Sequence, residues 1–170
     1  MTRREKLTDA ALAVGVTLVV AVAITANLGG GRGPDVAAYM FAVGLGLLML
    51  IRRRYPGFAL LTTAVGILGY HAADYPPVGL AAPVAAALFS AAEFGRTRLA
   101  AGVAAALLLI SGFFRLREGD DLGYLVGYEL GWTVALMAGA IAFGDGVRNR
   151  RRAQVEQRER EERLIREREQ

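Results

Sequence analysis

Apolar residues run along the chain in six stretches, 10–28, 36–51, 58–74, 78–95, 99–114 and 122–144. A short cluster rich in arginine, glycine, proline or acidic residues closes each of the first five. A bilayer's hydrocarbon is matched by about 17–25 consecutive apolar residues, and several of these stretches sit at the short end of that range. The pattern predicts six transmembrane helices joined by brief turns: GGGRGPD (29–35), RRRYPG (52–57), the Pro76–Pro77 pair, RTR (96–98) and RLREGDD (115–121). Glycine and proline stop helices at such points. The basic start TRREK before the first stretch resembles the head of a signal peptide. The apolar core is longer than usual and no A-x-A site follows, so the first stretch is expected to be a retained helix. The predicted fold class is all-α: a polytopic helical bundle at 1–144 followed by a charged helix at 145–170.

Charge orients this arrangement. With six alternating spans, 17 of the 20 basic residues fall on the side of the termini. Only Arg32, Arg115 and Arg117 fall on the other. The positive-inside rule then predicts both termini in the cytoplasm of a bacterial cell membrane. The loops are too short for an extracellular domain, so a stimulus is expected to be read within the membrane or at its surface.

Composition removes several chemistries. The chain is 54% hydrophobic, carries a net charge of +4, and holds no cysteine and one histidine. Disulfides, thiolate metal sites, cysteine nucleophiles and multi-histidine metal sites are excluded. No metal site is expected. The arginines flank apolar runs, so a membrane surface explains the positive charge better than nucleic acid, and no nucleic-acid partner is expected. Arg52, Arg53 and Arg54, and Arg150, Arg151 and Arg152, are expected to meet anionic lipid headgroups, at about 1 kcal/mol each.

The sixth stretch carries small residues every four positions: Gly123, Gly127, Gly131, Ala135 and Gly139. Such a stripe lets another backbone approach closely. Tyr124, Tyr128 and Trp132 form a neighbouring aromatic stripe, and Glu129 lies nearly opposite Gly127. Gly123, Gly127, Gly131, Gly139 and Trp132 are therefore the expected packing and output residues; ordinary interhelical packing is the plainer reading. After Gly146 neither glycine nor proline occurs. Glu156–Arg160, Glu159–Arg163 and Glu162–Arg166 are Glu→Arg pairs at i, i+4, worth about 0.2–0.5 kcal/mol each. The 26 residues from 145 to 170 would make a helix of about 39 Å. Val155 and Ile165 offer only a weak coiled-coil seam.

The chain resembles the N-terminal membrane region of actinobacterial sensor histidine kinases of the NarL/DesK-like class. The residues that carry the resemblance are RRRYPGFALLTTAVGILGYHAADYPP, FSAAEFGRTRLAAGVAAALLL and the exit FGDGVRNRRRAQVEQREREERLIREREQ. It implies a homodimer whose exit helix leads to a phosphoacceptor helix and an ATP-binding domain, acting on a cognate response regulator. No phosphoacceptor histidine or ATP-binding box lies in these residues, so no catalytic residue is expected here. ATP and magnesium are expected only in a kinase core that this chain lacks.

Intramembrane polar residues are the candidate sensing cluster: Tyr70, His71 and Asp74 near the outer end of the third stretch, and Glu129 in the sixth. Ionisable groups at such depth usually face the bundle interior and have partners. A histidine–carboxylate group there would respond to external pH or hold a small cation; purely interfacial side chains are the plainer alternative. Glu93 is expected to pair with Arg96 at i, i+3, and Asp145 with the arginines that follow it. The expected function is the membrane sensor module of a two-component histidine kinase. A small transporter or channel and a membrane-anchored scaffold are the alternatives.

Overall fold

A computed structural model of the protein describes residues 3–26, 35–73, 81–118 and 130–168. These residues are all-α, with six helices and no strand among them. They are α1 (Arg3–Ala26), α2 (Val36–Ile51), α3 (Pro56–Ala72), α4 (Ala81–Glu93), α5 (Thr97–Glu118) and α6 (Leu130–Arg168).

Local chemistry sets the helix ends. Asp35 caps α2, its carboxylate accepting from the Ala38 N–H at 2.8 Å. This satisfies one of the donors a helix N-terminus leaves open. Arg52–Tyr55 form the α2–α3 turn, with Arg54 and Tyr55 N–H donating to Ile51 O. Pro56 takes the first position of α3, where its missing N–H costs nothing. Helix α4 ends in a Schellman motif: Arg96 N–H reaches Ala91 O, Gly95 N–H reaches Ala92 O, and Gly95 adopts φ +86°. That left-handed residue favours glycine. The start of α1 at Arg3, well before the apolar stretch at 10, shows a charged segment continuing a helix whose apolar part is stabilised by packing.

The interior is built from small side chains and the exterior from large ones. Ala38, Ala42, Ala59, Ala87, Ala91, Ala92 and Ala100 are buried, around Val20, Met49, Leu60 and Leu88. Val22, Met40, Val65, Leu109, Trp132 and Phe143 are each about two-thirds exposed or more. Exposed apolar surface of this breadth marks a face that meets a membrane or a partner. Among the described residues two segments are long and apolar enough to cross a membrane, Leu7–Ala26 in α1 and Thr97–Phe114 in α5; α2 and α4 are apolar but shorter.

Close backbone approach occurs at particular glycines. A Cβ at Gly46 of α2 would collide with Thr17 Oγ1 and lie 2.8 Å from Ala13 O of α1, whereas one at Gly44 would meet nothing. Gly46→Leu is therefore expected to destabilise the fold by about 1–3 kcal/mol in a thermal or denaturant unfolding assay, the usual cost of overpacking. Gly44→Leu is expected to leave the midpoint unchanged.

Candidate functional site: an arginine-centred node at the exit of α6

Two of the carboxylates at the arginine-rich end of the bundle are buried, Asp9 of α1 and Glu93 of α4. Both are joined by Arg52, the first residue after α2, which is 3% exposed. Arg52 keeps right-handed helical torsions, so its side chain continues the inward face of α2. Its Nη2 donates to Asp9 Oδ1 at 2.9 Å and its Nε to the same oxygen at 3.2 Å. Its Nη1 donates to Ser90 Oγ at 2.8 Å. The Ser90 hydroxyl in turn donates to Ala86 O at 2.7 Å, so one oxygen both accepts and donates. Arg53 adds a short bond from Nε to Asp9 Oδ2. One carboxylate thus receives two guanidinium groups from adjacent residues.

Glu93 carries the node onward to α6. Its Oε1 lies 2.9 Å from Arg151 Nη2, while its Oε2 lies 3.7 Å from Arg52 Nη1. That second distance is an ion pair without a hydrogen bond, and Oε2 is buried with no hydrogen-bond partner among the described residues. Glu93 therefore sits between one buried and one exposed arginine. Two turns up α6 from Arg151, on the same face, Gly144 lies against α4. A Cβ there would collide with Phe89 O and lie 3.0 Å from Ala92 Cβ and 3.1 Å from Glu93 N. The Phe89 and Phe143 rings meet beside it at 5.8 Å. Beyond this clamp every described side chain from 149 to 167 is exposed.

The expected site residues are distributed differently. Arg52 is a correction: it was expected at lipid headgroups, but two buried carboxylates and Ser90 draw it inward. Arg53 is divided, its side chain 18% exposed and bound to Asp9. Arg54 remains exposed, its guanidinium 5.6 Å from the Tyr55 ring centroid. Arg150 and Arg152 are exposed, and Arg151 is exposed while reaching Glu93. The expected Glu93–Arg96 pair does not form, because Glu93 faces Arg52 and Arg151 while Arg96 lies over Gly57. Asp145 does pair with Arg148, at 3.6 Å, and also accepts from Thr97 and Asn149.

In the candidate sensing cluster, Tyr70 is buried and stacks on Phe41 at 4.8 Å. His71 is exposed, with Nδ1 3.1 Å from Ile67 O. The two adjacent residues thus face different surroundings. Asp74 and Glu129 lie outside the described residues, as do Gly123 and Gly127. Gly131 and Gly139 are exposed and a Cβ on either would meet nothing, and Trp132 is exposed. Among the described glycines of α6, close approach to another helix occurs at Gly144, five residues after Gly139 and off the four-residue stripe, while Met137, Ala140 and Ile141 also pack into the core. Of the three predicted tail pairs, Glu162–Arg166 forms among the described residues, at 3.5 Å.

Asp9 is the carboxylate of the node that the pattern of the sequence did not single out. Its signal was available: Asp9 and Glu93 each sit at the end of an apolar stretch, on the side where the arginine loops gather.

The chain belongs to the DUF7134 family, a domain of unknown function, whose model matches residues 1–151. The matched region ends at Arg151, the last residue of the node. No curated protein and no solved structure is significantly similar to the chain.

Removing a single member of a buried ion network strands its partner charges. Arg52→Met is expected to destabilise the protein by about 3–5 kcal/mol, read as a lowered unfolding midpoint. Arg166→Ala breaks a pair between two well-exposed side chains and is expected to cost less than about 1 kcal/mol.

Proposed function

We propose that this DUF7134 protein is a membrane-embedded sensor module that passes a change of packing in its bundle to a cytoplasmic output partner through α6. The output partner of this reading is a two-component histidine-kinase core, with its response regulator downstream and the module working as a homodimer in the bacterial cell membrane. The observation that carries it is the continuity of α6. One helix of 39 residues, about 58 Å long, runs from among apolar neighbours to a bare charged surface. It is gripped from α4 at two points of one face, Gly144 and Arg151.

The arrangement suits transmission. A helix held by close backbone contact and one ion pair moves with the element that holds it, and α4 is tied through Arg52 to α1 and the α2–α3 turn. A shift in any of these is felt at Arg151. The signalling step requires two packings of similar free energy, with the stimulus favouring one.

The apolar exterior supports membrane insertion of the bundle; on this reading it makes six spans, and the arginine bias puts both termini in the cytoplasm. Transport or channel activity is disfavoured by where the buried polar side chains are. Among the described residues these are Asp9, Arg52, Thr63, Ser90 and Glu93. All but Thr63 gather in the node, and the Thr63 hydroxyl donates to Ala59 O at 2.7 Å. Among the described residues, no run of buried polar side chains leads through the middle of these helices.

Two measurements test the reading. In a fusion of the chain to a histidine-kinase core, Gly144→Leu and Glu93→Gln are each expected to change autophosphorylation several-fold, with unaltered membrane insertion. Unchanged output would remove α6 as the lever. The absence of native cysteine makes topology accessible by single replacements. An impermeant thiol reagent applied to intact cells should label Arg32→Cys and spare Gln170→Cys; the reverse pattern would invert the proposed orientation.

A further inference from the structure

A second feature of the same end of the molecule is independent of the buried node. An open cleft of about 570 Å³ separates the start of α5 from α6, lined by Gly95, Arg96, Thr97, Arg98, Leu99, Asp145 and Arg148. Three guanidinium groups and one carboxylate line it, leaving an excess of two positive charges. Asp145 is already engaged. It accepts from Thr97 Oγ1 at 3.2 Å and Asn149 Nδ2 at 3.2 Å, and lies 3.6 Å from Arg148 Nη1. Arg96 and Arg98 form no ion pair among the described residues, and both are exposed.

Two glycines make the room for these guanidinium groups. Arg148 lies across Gly95, with Cζ 3.2 Å from where a Cβ would stand. Arg96 lies across Gly57 in the same way, its Nη1 at 3.1 Å. A side chain at either position would press on an arginine of the cleft. Arg148 is further held by Asp145, so one of the three cations is fixed in place and the other two remain available.

The position of the cleft narrows the ligand. Its Thr97 is the first residue of the apolar segment Thr97–Phe114, one of the two among the described residues that could cross a membrane. On the membrane reading above, on which this inference rests, Thr97 marks the level where hydrocarbon gives way to headgroup phosphates. Basic recesses between helices at that level suit phosphate-bearing headgroups. Guanidinium groups pair with phosphate oxygens in a forked geometry.

We propose that the α5–α6 cleft binds the phosphate of an anionic phospholipid headgroup, through Arg96, Arg98 and Arg148. An occupied cleft would bridge α5 to the stretch of α6 between Gly144 and Arg151, so lipid composition would bear on the part of the helix that the node grips.

The test is lipid retention by the purified full chain, measured by native mass spectrometry after equilibration with phosphatidylglycerol or phosphatidylcholine. The wild-type protein is expected to retain phosphatidylglycerol in preference to phosphatidylcholine. The Arg96→Gln/Arg98→Gln protein is expected to lose that preference by roughly tenfold or more. A control with the same charge change in the bare part of α6, Arg158→Gln/Arg160→Gln, is expected to behave as wild type. Circular dichroism should show both variants as helical as the wild type, since all four arginines are exposed. Equal loss in the control would mean diffuse charge attraction and overturn the site. Displacement of the lipid by millimolar inorganic phosphate would overturn the headgroup as ligand. A chain that does not enter bilayers at all would fail the membrane reading itself, a result separate from the loss of headgroup preference in an inserted protein.

Discussion

A guanidinium taken out of water must be surrounded by acceptors, and Arg52 is taken almost fully out of water. Asp9, Ser90 and Glu93 supply what it needs, from two helices, α1 and α4. Buried ion pairs add little net stability over apolar packing, because desolvation offsets most of the attraction. They do penalise arrangements that separate the partners. The node therefore acts chiefly on geometry: it fixes how α1, the α2–α3 turn and α4 stand at one end of a bundle whose interior is otherwise largely apolar and rich in alanine. Small interior side chains slide more easily over one another than large interlocked ones, so this end is where a defined register is imposed.

Glu93 is where that register reaches α6. Its carboxylate divides between Arg52, buried and fixed, and Arg151, exposed and on the exit helix. Gly144 brings the α6 backbone onto α4 two turns away. A contact limited by backbone atoms and an ion pair limited by water on one side respond differently to small shifts. On the proposed reading the first would act as a fulcrum and the second as a tether that tightens or loosens. Past Arg151 every described side chain of the helix is exposed, so orientation set at the node extends along the remaining turns.

Much of the fold could be read from the chain, for identifiable reasons. The bounds of α2 fall where its apolar run meets a capping Asp35 on one side and three arginines on the other. The α2–α3 and α4–α5 turns coincide with Tyr-Pro-Gly and with Gly95, residues that locally stop a helix. The start of α1 could not be read, since a charged segment gives no periodic signal. The node was only half legible. Arginines in a loop look alike in sequence, and nothing in RRR tells which one turns inward. That choice depends on Asp9 and Ser90, some forty residues away in either direction. The regular spacing of Gly131 and Gly139 pointed to a contact face, yet Gly144, outside the spacing, is the glycine against which α4 rests. Regularity marks a face, and close approach depends on what the neighbouring helix brings to it.

The claim that α6 is held in register by the node is tested most directly by the distance between the node's surroundings and the free part of the helix. Spin labels on cysteines replacing Arg54 and Arg158 would report it by double electron–electron resonance in a reconstituted bilayer, in a chain with no cysteine of its own. The account predicts one narrow distance distribution that broadens or shifts when Glu93 is replaced by glutamine. A distribution unchanged by that substitution would contradict it.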